Sequence, residues 1–273
     1  MNFIDIHSHA QFSAYDQDRD EVMMRAREAG TMMINVGTQY DTSEAAVELA
    51  HKYPDIAYAT IGLHPIHTSK SFHDEQELGL TGQQFTSRGE VFDYEKYLTL
   101  GRDEKVVAIG ECGLDYYRLT PETQNAQRVA FEKQIQLAIE LDKPLMLHVR
   151  NAYDDVLDVL SRYTLHATRP GNVHFFAGSW NIAQQFLKRG FTLSFTGVIT
   201  FTHDYDEVVK NTPLDMIMSE TDSPYVTPVP LRGKRNEPVN VKYVVQRIAE
   251  LKNLPIEQVA EQILENAKKV FNI

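Results

Sequence analysis

Residues 145–163, LMLHVRNAYDDVLDVLSRY, show the pattern that decides the fold of this 273-residue chain. The short apolar run Leu145–Val149 is typical of a buried strand, and residues 152–163 then carry apolar side chains at helical spacing. A further apolar run, Asn172–Phe176, follows that segment. A strand, a helix and a second strand in this order predict two parallel strands joined by a helix.

The same alternation extends along the whole chain. It predicts strands at Phe3–His7, Met32–Val36, Ala57–Leu63, Val106–Gly110, Leu145–Val149, Asn172–Phe176, Thr192–Phe195 and Met216–Ser219. Helical periodicity predicts helices at Asp18–Ala29, Thr42–Lys52, Pro121–Leu141, Ala152–Tyr163, Trp180–Lys188, Tyr205–Val209, Val239–Leu251 and Ile256–Phe271. Eight such units favour a single α/β domain over residues 1–273, a TIM (β/α)8 barrel, with a doubly wound sheet as the alternative.

Residues 69–94 interrupt this alternation. They are polar, contain Gly79, Gly82 and Gly89, and show no apolar period. We expect an enlarged loop after the third strand, which is either a lid over the catalytic face or a surface insertion without function.

The composition is that of a globular protein with a substantial core, at 42% hydrophobic and 24% charged residues. The chain lacks both a run of ~20 apolar residues and a secretory signal, so we expect a cytoplasmic protein without a membrane segment. The single cysteine, Cys112, fits a reducing compartment. The net charge of -11 argues against coating of long nucleic acid by bulk charge but allows a local phosphate site.

Histidines and acids fall at the carboxyl ends of the predicted strands, where barrel enzymes have their active sites. Asp5, His7 and His9 share one side of the first strand, because side chains alternate along a strand. The later strand ends carry Glu111, His148, His174 and Asp222. Such groups are costly to bury unpaired, so their convergence on one rim predicts a metal site.

Two divalent ions satisfy these groups, because a carboxylate can bridge two ions whereas an imidazole normally binds one. The ligands assigned to the first ion are His7, His9, Glu111 and Asp222, and those assigned to the second are Glu111, His148 and His174. Nitrogen and oxygen ligands suit Zn, Mn, Fe or Ni, and Mg is a further candidate for the bound ion. A pair of such ions acidifies a bound water and clamps both oxygens of a displacement, so we expect hydrolysis.

Two aspartates have predicted roles beside the ions. Asp222 is placed to orient or deprotonate the attacking water. Asp5 lies deeper in the barrel, where it either fixes a ligand imidazole or is a structural hydrogen-bonding partner.

Several ordered motifs carry a family resemblance. They are Asp5-Ile6-His7-Ser8-His9, Gly62-Leu63-His64-Pro65, Gly110-Glu111-Cys112-Gly113-Leu114-Asp115-Tyr116, His148-Val149-Arg150, His174 with Gly178, and Glu220-Thr221-Asp222-Ser223-Pro224-Tyr225. Together they resemble the TatD family of metal-dependent deoxyribonucleases. The resemblance implies a TIM barrel, phosphodiester hydrolysis of DNA and the same six metal ligands.

The resemblance also implies a substrate-side role for His64, whose imidazole would hold a phosphate oxygen or assist the leaving oxygen. His64 thereby joins Glu111 and Asp222 as a catalytic residue. The alternative for His64 is a turn residue before Pro65. The chain departs from the family at Phe175-Phe176-Ala177, where Cys-Phe-Ser is usual, which puts the substrate preference in question.

Other polar residues lie in the loops predicted at the catalytic rim. Arg118 and Arg150 are expected to bind substrate phosphates, although a solvent-facing charge or salt bridge is the simpler interpretation of each. The histidines interpreted as surface residues are His51, His67, His73, His166 and His203. The side chain of Cys112 is expected to point away from the rim.

These residues favour a DNA phosphodiesterase acting at ends or single strands, with no obligate protein partner. The alternative is a metal-dependent esterase or amide hydrolase, such as an aminoacyl-tRNA deacylase or a lactonase. Barrels of that kind often bridge their metals with a carboxylated lysine at the end of the fourth strand, whereas here Lys105 opens that strand and Glu111 closes it. A non-catalytic metal-binding protein is the third possibility, and loss of ligands would be its signature.

Overall fold

The computed structural model describes residues 3–70, 72–73, 85–86, 88–117, 120–166 and 169–273. The strands are β1 (Phe3–Ser8), β2 (Thr31–Val36), β3 (Ala57–Ile61), β4 (Phe72–His73), β5 (Phe85–Thr86), β6 (Val106–Asp115), β7 (Leu145–Arg150), β8 (Gly171–Val173), β9 (Thr192–Phe195) and β10 (Ile217–Ser219). The helices are α1 (Arg19–Glu28), α2 (Tyr40–Lys52), α3 (Tyr94–Gly101), α4 (Pro121–Glu140), α5 (Tyr153–Leu160), α6 (Trp180–Lys188), α7 (Asp206–Asn211), α8 (Val241–Lys252) and α9 (Ile256–Phe271).

The main sheet has eight strands in the order β1-β2-β3-β6-β7-β8-β9-β10, and every pairing in it is parallel. This sequential order is that of a (β/α)8 barrel and lacks the reversal of strand order that defines a doubly wound sheet. The predicted TIM barrel is therefore confirmed, and each predicted strand overlaps an observed one.

The barrel closes between β1 and β10 at the carboxyl ends of these two strands. The amide of Asp222 donates to the carbonyl of His7 at 2.9 Å, and the amide of His9 donates to the carbonyl of Ser223 at 2.8 Å. Deeper in the barrel, two residues before His7, the fully buried Asp5 carboxylate accepts hydrogen bonds from the amide and the hydroxyl of Thr221. This closing seam therefore passes through three of the residues predicted to bind metal.

Helix α4 holds the backbone near the carboxyl ends of two neighbouring barrel strands, β3 and β6. The buried amide side chain of Gln134 accepts from Leu63 N at 2.8 Å and donates to Leu63 O at 3.0 Å, beside His64. The side chain of Gln127 bonds in the same way to the backbone of Asp115, at 2.8 and 2.9 Å. Because each glutamine satisfies a backbone donor and acceptor together, it fixes the position of that segment.

The structure differs from the sequence-based prediction in strand β6, helix α3 and the short strands β4 and β5. Strand β6 continues to Asp115, so Glu111 lies within the strand and does not close it. Helix α3 was not predicted, because it is short and follows the polar stretch. Of the predicted loop at residues 69–94, the described parts include β4 and β5, which pair antiparallel, while most of residues 71–87 lie outside the described ranges. Among the described helices, none is both long and apolar enough to cross a membrane.

Gly113 gives a test of the packing between β6 and β7. Its φ is +142°, and a Cβ at this position would lie 2.0 Å from the carbonyl oxygen of His148. We expect Gly113→Ala to lower the free energy of unfolding by more than about 3 kcal/mol, since both backbone strain and a backbone clash oppose the methyl group. Urea unfolding with an unchanged m-value measures this loss.

Gly233 is the matched control, because its φ is +83° but no atom lies within 4 Å of its added Cβ. Gly233→Ala should cost only about 1–2 kcal/mol, from the left-handed backbone alone. Equal losses in the two variants would contradict the steric explanation for Gly113.

Candidate metal centre

The six predicted metal ligands meet at the carboxyl ends of the strands. A cavity of about 590 Å³ opens there, and its walls include His9, Glu111, His148, His174 and Asp222. His7 is fully buried beside them. The structure thus brings together all six side chains, which come from opposite sides of the barrel.

Glu111 is at the centre of this cluster and is only 3% exposed. Its Oε2 lies 3.4 Å from His7 Nε2. Its Oε1 lies 2.9 Å from His148 Nδ1 and 3.6 Å from His174 Nε2. Burial alone would raise the pKa of this carboxyl, but the surrounding imidazoles outweigh it and hold the pKa well below its usual range. Glu111 is therefore an anion whose two oxygens face different imidazoles.

His7 has two buried ring nitrogens without a hydrogen-bond partner. Its ring stacks on that of His174, with centroids 3.5 Å apart. Burial, together with the smaller effect of the neighbouring His174, lowers the pKa of His7 to about 3, so the ring is neutral. A neutral buried imidazole with an unpaired nitrogen is costly by itself and suits a divalent cation. The orphaned nitrogens of His7 therefore fit a metal site.

His9 has its ring orientation set by the backbone of β2. Its Nδ1 donates to Val36 O at 2.8 Å, so its Nε2 is unprotonated in the neutral ring. That nitrogen lies 3.4 Å from Asp222 Oδ1. Asp222 has a left-handed backbone with φ of +54°, and its side chain is 15% exposed. Both groups are therefore available to a ligand in the cavity.

His148 lies between two carboxylates. Its Nδ1 donates to Glu111 Oε1 and its Nε2 donates to Asp115 Oδ2, both at 2.9 Å. Burial would lower the pKa of His148, but these two hydrogen bonds outweigh it and raise the pKa to about 9. A ligand imidazole commonly donates its other N–H to a carboxylate, and Asp115 is placed for that role.

His174 has an equivalent carboxylate neighbour in Glu220. Its Nδ1 lies 3.0 Å from Glu220 Oε1, an ion-pair contact whose angles fall outside those of a hydrogen bond. Glu220 is fully buried and accepts hydrogen bonds from Phe175 N and Ser194 Oγ, both at 2.7 Å. Burial would lower the pKa of His174, but the carboxylates of Glu220 and Glu111 raise it to about 10.

Neither of these carboxylates was predicted to belong to the site. The strand period places Asp115 on the same face as Glu111, but the strand predicted from the sequence ends at Gly110 and so does not include Asp115. Glu220 is two residues before Asp222, and its contact with His174 requires β8 and β10 to approach each other across β9.

His64 faces the same carboxylate but with a different proton arrangement. Its Nδ1 accepts from Ile66 N at 3.1 Å, so the neutral ring carries its proton on Nε2. That Nε2 lies 3.2 Å from Glu111 Oε1. Burial lowers the pKa of His64, which favours this neutral form. In this tautomer His64 is a hydrogen-bond donor toward the cavity.

The other predicted site residues have different outcomes. Arg150 lines the cavity and stacks on Tyr117, with its guanidinium carbon 3.8 Å from the ring centroid, whereas Arg118 lies outside the described residues. The prediction that His67 is a surface residue was wrong, because it is 8% exposed and lines the cavity. Asp5 accepts from the backbone amide of His7 at 3.2 Å, which supports its structural role.

Three overlapping groups of described side chains have ligand atoms within 4.8 Å of one another. They are His7, His9 and Asp222; His7, Glu111 and His174; and His64, Glu111 and His148. Every predicted ligand belongs to at least one group. Their individual roles in metal binding stay predictions.

Comparisons with known proteins identify relatives along the whole chain. A family model described as TatD related DNase matches residues 4–272. The metal-dependent hydrolase YabD of Bacillus subtilis is 39% identical over 272 residues, which cover 98% of each chain. The metal-dependent hydrolase MG009 of Mycoplasma genitalium is 32% identical over 283 residues, which cover 99% of each chain.

A solved structure agrees with these matches. The TatD homologue YjjV of Escherichia coli superposes with a TM-score of 0.84 at 29% identity, covering 100% of this chain and 98% of that one. Sequence, fold and the buried cluster of histidines and carboxylates therefore agree. The chain belongs to the TatD family of metal-dependent hydrolases.

Proposed function

We propose that this protein hydrolyses phosphodiester bonds of DNA, at ends or in single strands, with two divalent metal ions. The observation that carries this proposal is the position of Glu111, whose Oε1 and Oε2 face separate imidazoles within a closed cluster. Through these two oxygens Glu111 would hold metal together with the imidazoles on either side of it. The family description as a DNase supports DNA as the substrate.

The residues that would hold the metals form two sets, and Glu111 belongs to both. His7, His9 and Asp222, whose ligand atoms lie within 4.8 Å of one another, would bind one ion with Glu111. His148 and His174, which both face Glu111 Oε1, would bind the second ion with Glu111. Metal bound by these residues would supply an acidified water and stabilise the charge that develops in an in-line displacement. The ligands suit Zn, Mn, Fe or Ni, and Mg with added waters.

Two further groups have roles toward the substrate. The Asp222 carboxylate reaches the cavity, where it would orient the attacking water and accept its proton. Because Nδ1 of His64 accepts from Ile66 N, its Nε2–H, which lies 3.2 Å from Glu111 Oε1, would be the donor to a phosphate oxygen placed beside that carboxylate. Arg150, at the cavity wall, would hold a phosphate of the same strand. A cluster of this kind at the end of a cavity, in a chain with a net charge of -11, favours single strands or ends over an intact duplex.

A cleavage assay with a series of metals tests this function. A single-stranded DNA oligonucleotide labelled at either end reports cleavage and its polarity, and a double-stranded version reports strand preference. An acyl ester, a lactone and an aminoacyl-tRNA are assayed in parallel. Cleavage of these esters without cleavage of DNA would favour the alternative hydrolase function and contradict the nuclease.

Asp222→Asn tests the proposed acceptor of the water proton. We expect kcat for DNA to fall about 100- to 10,000-fold, the range for loss of a general base, with thermal unfolding retained as a cooperative transition. Asp215→Asn is the matched control, because Asp215 is exposed just before the amino end of β10. A well-folded Asp222→Asn protein that cleaves at the rate of the control would contradict the role.

Metal binding should increase the stability of the folded protein, and this increase should be measurable as a rise in Tm. At a free metal concentration of about 100 Kd, binding adds about 2.7 kcal/mol to stability. For a chain of this size this gain corresponds to a rise in Tm of about 5–10 °C after chelator-treated protein is reloaded. Glu111→Gln should abolish most of the rise.

Glu104→Gln is the control for this experiment, since Glu104 is exposed just before the opposite end of β6. It should keep the full metal-dependent rise in Tm. The same rise in Glu111→Gln would show that Glu111 does not hold the ions.

Glu220→Gln tests the carboxylate beside His174. The substitution keeps the size of the side chain but removes the charge that orients the imidazole, so metal affinity should fall about 10- to 100-fold. Titration of the metal-free protein, followed by calorimetry, measures this loss without reference to activity. An unchanged Kd for both ions would show that Glu220 has only a structural role.

A further inference from the structure

Arg232 lies at the mouth of the cavity that contains the metal cluster. Its guanidinium carbon is 3.9 Å from the centroid of the Phe201 ring, and both residues line the cavity. Its Nη1 donates to the carbonyl of the buried Thr227 at 3.1 Å. Phe201 is 42% exposed, so the stacked pair of Arg232 and Phe201 is accessible from solvent as well as from the cavity.

The charge of Arg232 is not neutralised by a carboxylate within the described part of the chain. Arg235, three residues later, pairs with Asp18 at 2.6 Å, and Arg247 on α8 pairs with Asp206 at 3.2 Å. In a protein with a net charge of -11, a cation without such a partner at the cavity mouth is a natural contact for an anionic ligand.

The stacked geometry suits a phosphate. A guanidinium has five N–H donors in one plane, and the bond to Thr227 uses one of them. Stacking on Phe201 occupies a face of the guanidinium and leaves its edge accessible. Arginine edges bind phosphate oxygens in pairs, and a side chain already held in place loses less entropy on binding.

The backbone that carries this pair is held rigidly. Val229 N donates to Thr200 Oγ1 at 2.9 Å, which joins the segment of Arg232 to that of Phe201. Val226, a β-branched residue, is held at a φ of +52°, and such strain persists only where the surroundings fix the backbone. Arg232 is therefore preorganised relative to the cavity.

We propose that Arg232, stacked on Phe201, binds a second phosphate of the substrate strand, next to the phosphate that is cleaved. The inference rests on the proposed function and narrows its substrate to a chain of at least two phosphates. The exposed ring of Phe201 and the partly buried ring of Tyr205, which line the same cavity, would contact the adjoining base. An ester with a single phosphate has no second phosphate for Arg232 to bind.

Arg232→Gln compared on two substrates tests the proposal. The first substrate is a short single-stranded DNA oligonucleotide and the second is bis-para-nitrophenyl phosphate, which has one phosphate. We expect kcat/KM for the oligonucleotide to fall at least about tenfold more than kcat/KM for the ester, as expected for loss of a charge-assisted contact. The slope of log kcat/KM against log salt for the oligonucleotide should also become shallower by about 0.7.

Arg189→Gln is the matched control, because it removes the same charge from an exposed site between α6 and β9, at the other end of the barrel. Phe201→Ala should weaken oligonucleotide cleavage while keeping the wild-type salt slope, since the charge remains. Equal losses on both substrates, or a salt slope equal to that of Arg189→Gln, would overturn the second phosphate site. Failure of the wild-type protein to cleave the oligonucleotide with any metal would instead overturn the proposed function.

Discussion

The negative charge of Glu111, buried inside the barrel, is the constraint on which the rest of the site depends. An isolated carboxylate is costly to bury, and this one is surrounded by the imidazoles of His7, His64, His148 and His174. These rings come from β1, β7 and the segments after β3 and β8, so only a closed arrangement of parallel strands brings them to one carboxylate. Burial of the Glu111 charge therefore depends on the topology of the barrel, which brings the imidazoles to this carboxylate.

A second layer of polar residues orients the imidazoles around Glu111. Asp115 is held at both backbone polar groups by Gln127 and in turn holds His148. Glu220 is held by Phe175 N and Ser194 and contacts His174. Because an imidazole can bind through either nitrogen, the group on the far nitrogen decides which one faces the cavity. Helix α4 therefore helps to position the side chains of the cluster, although it carries no predicted ligand.

Most of the fold and the candidate ligands could be predicted from the sequence, because both produce local patterns. Alternation of apolar runs predicted the barrel, and the strand period placed His7 and His9 on one side. The partners of Asp115 and Glu220 depend on which strands become neighbours, and spacing along the chain does not contain that information. His67 was assigned to the surface for the same reason, since its burial arises from packing around the cavity.

Closure between β1 and β10 also has a consequence for synthesis on the ribosome. Asp5 and Thr221 are 216 positions apart, so β1 lacks its second neighbour until nearly the whole barrel has been translated. A contact of such long range forms slowly, and an unpaired strand edge is prone to pair with other chains in the meantime. Nascent or truncated chains that end before the seam would hold His7 and His9 without Asp222. The groups of the proposed metal site are therefore drawn from both ends of the sequence, and only a chain that extends past the seam contains them all.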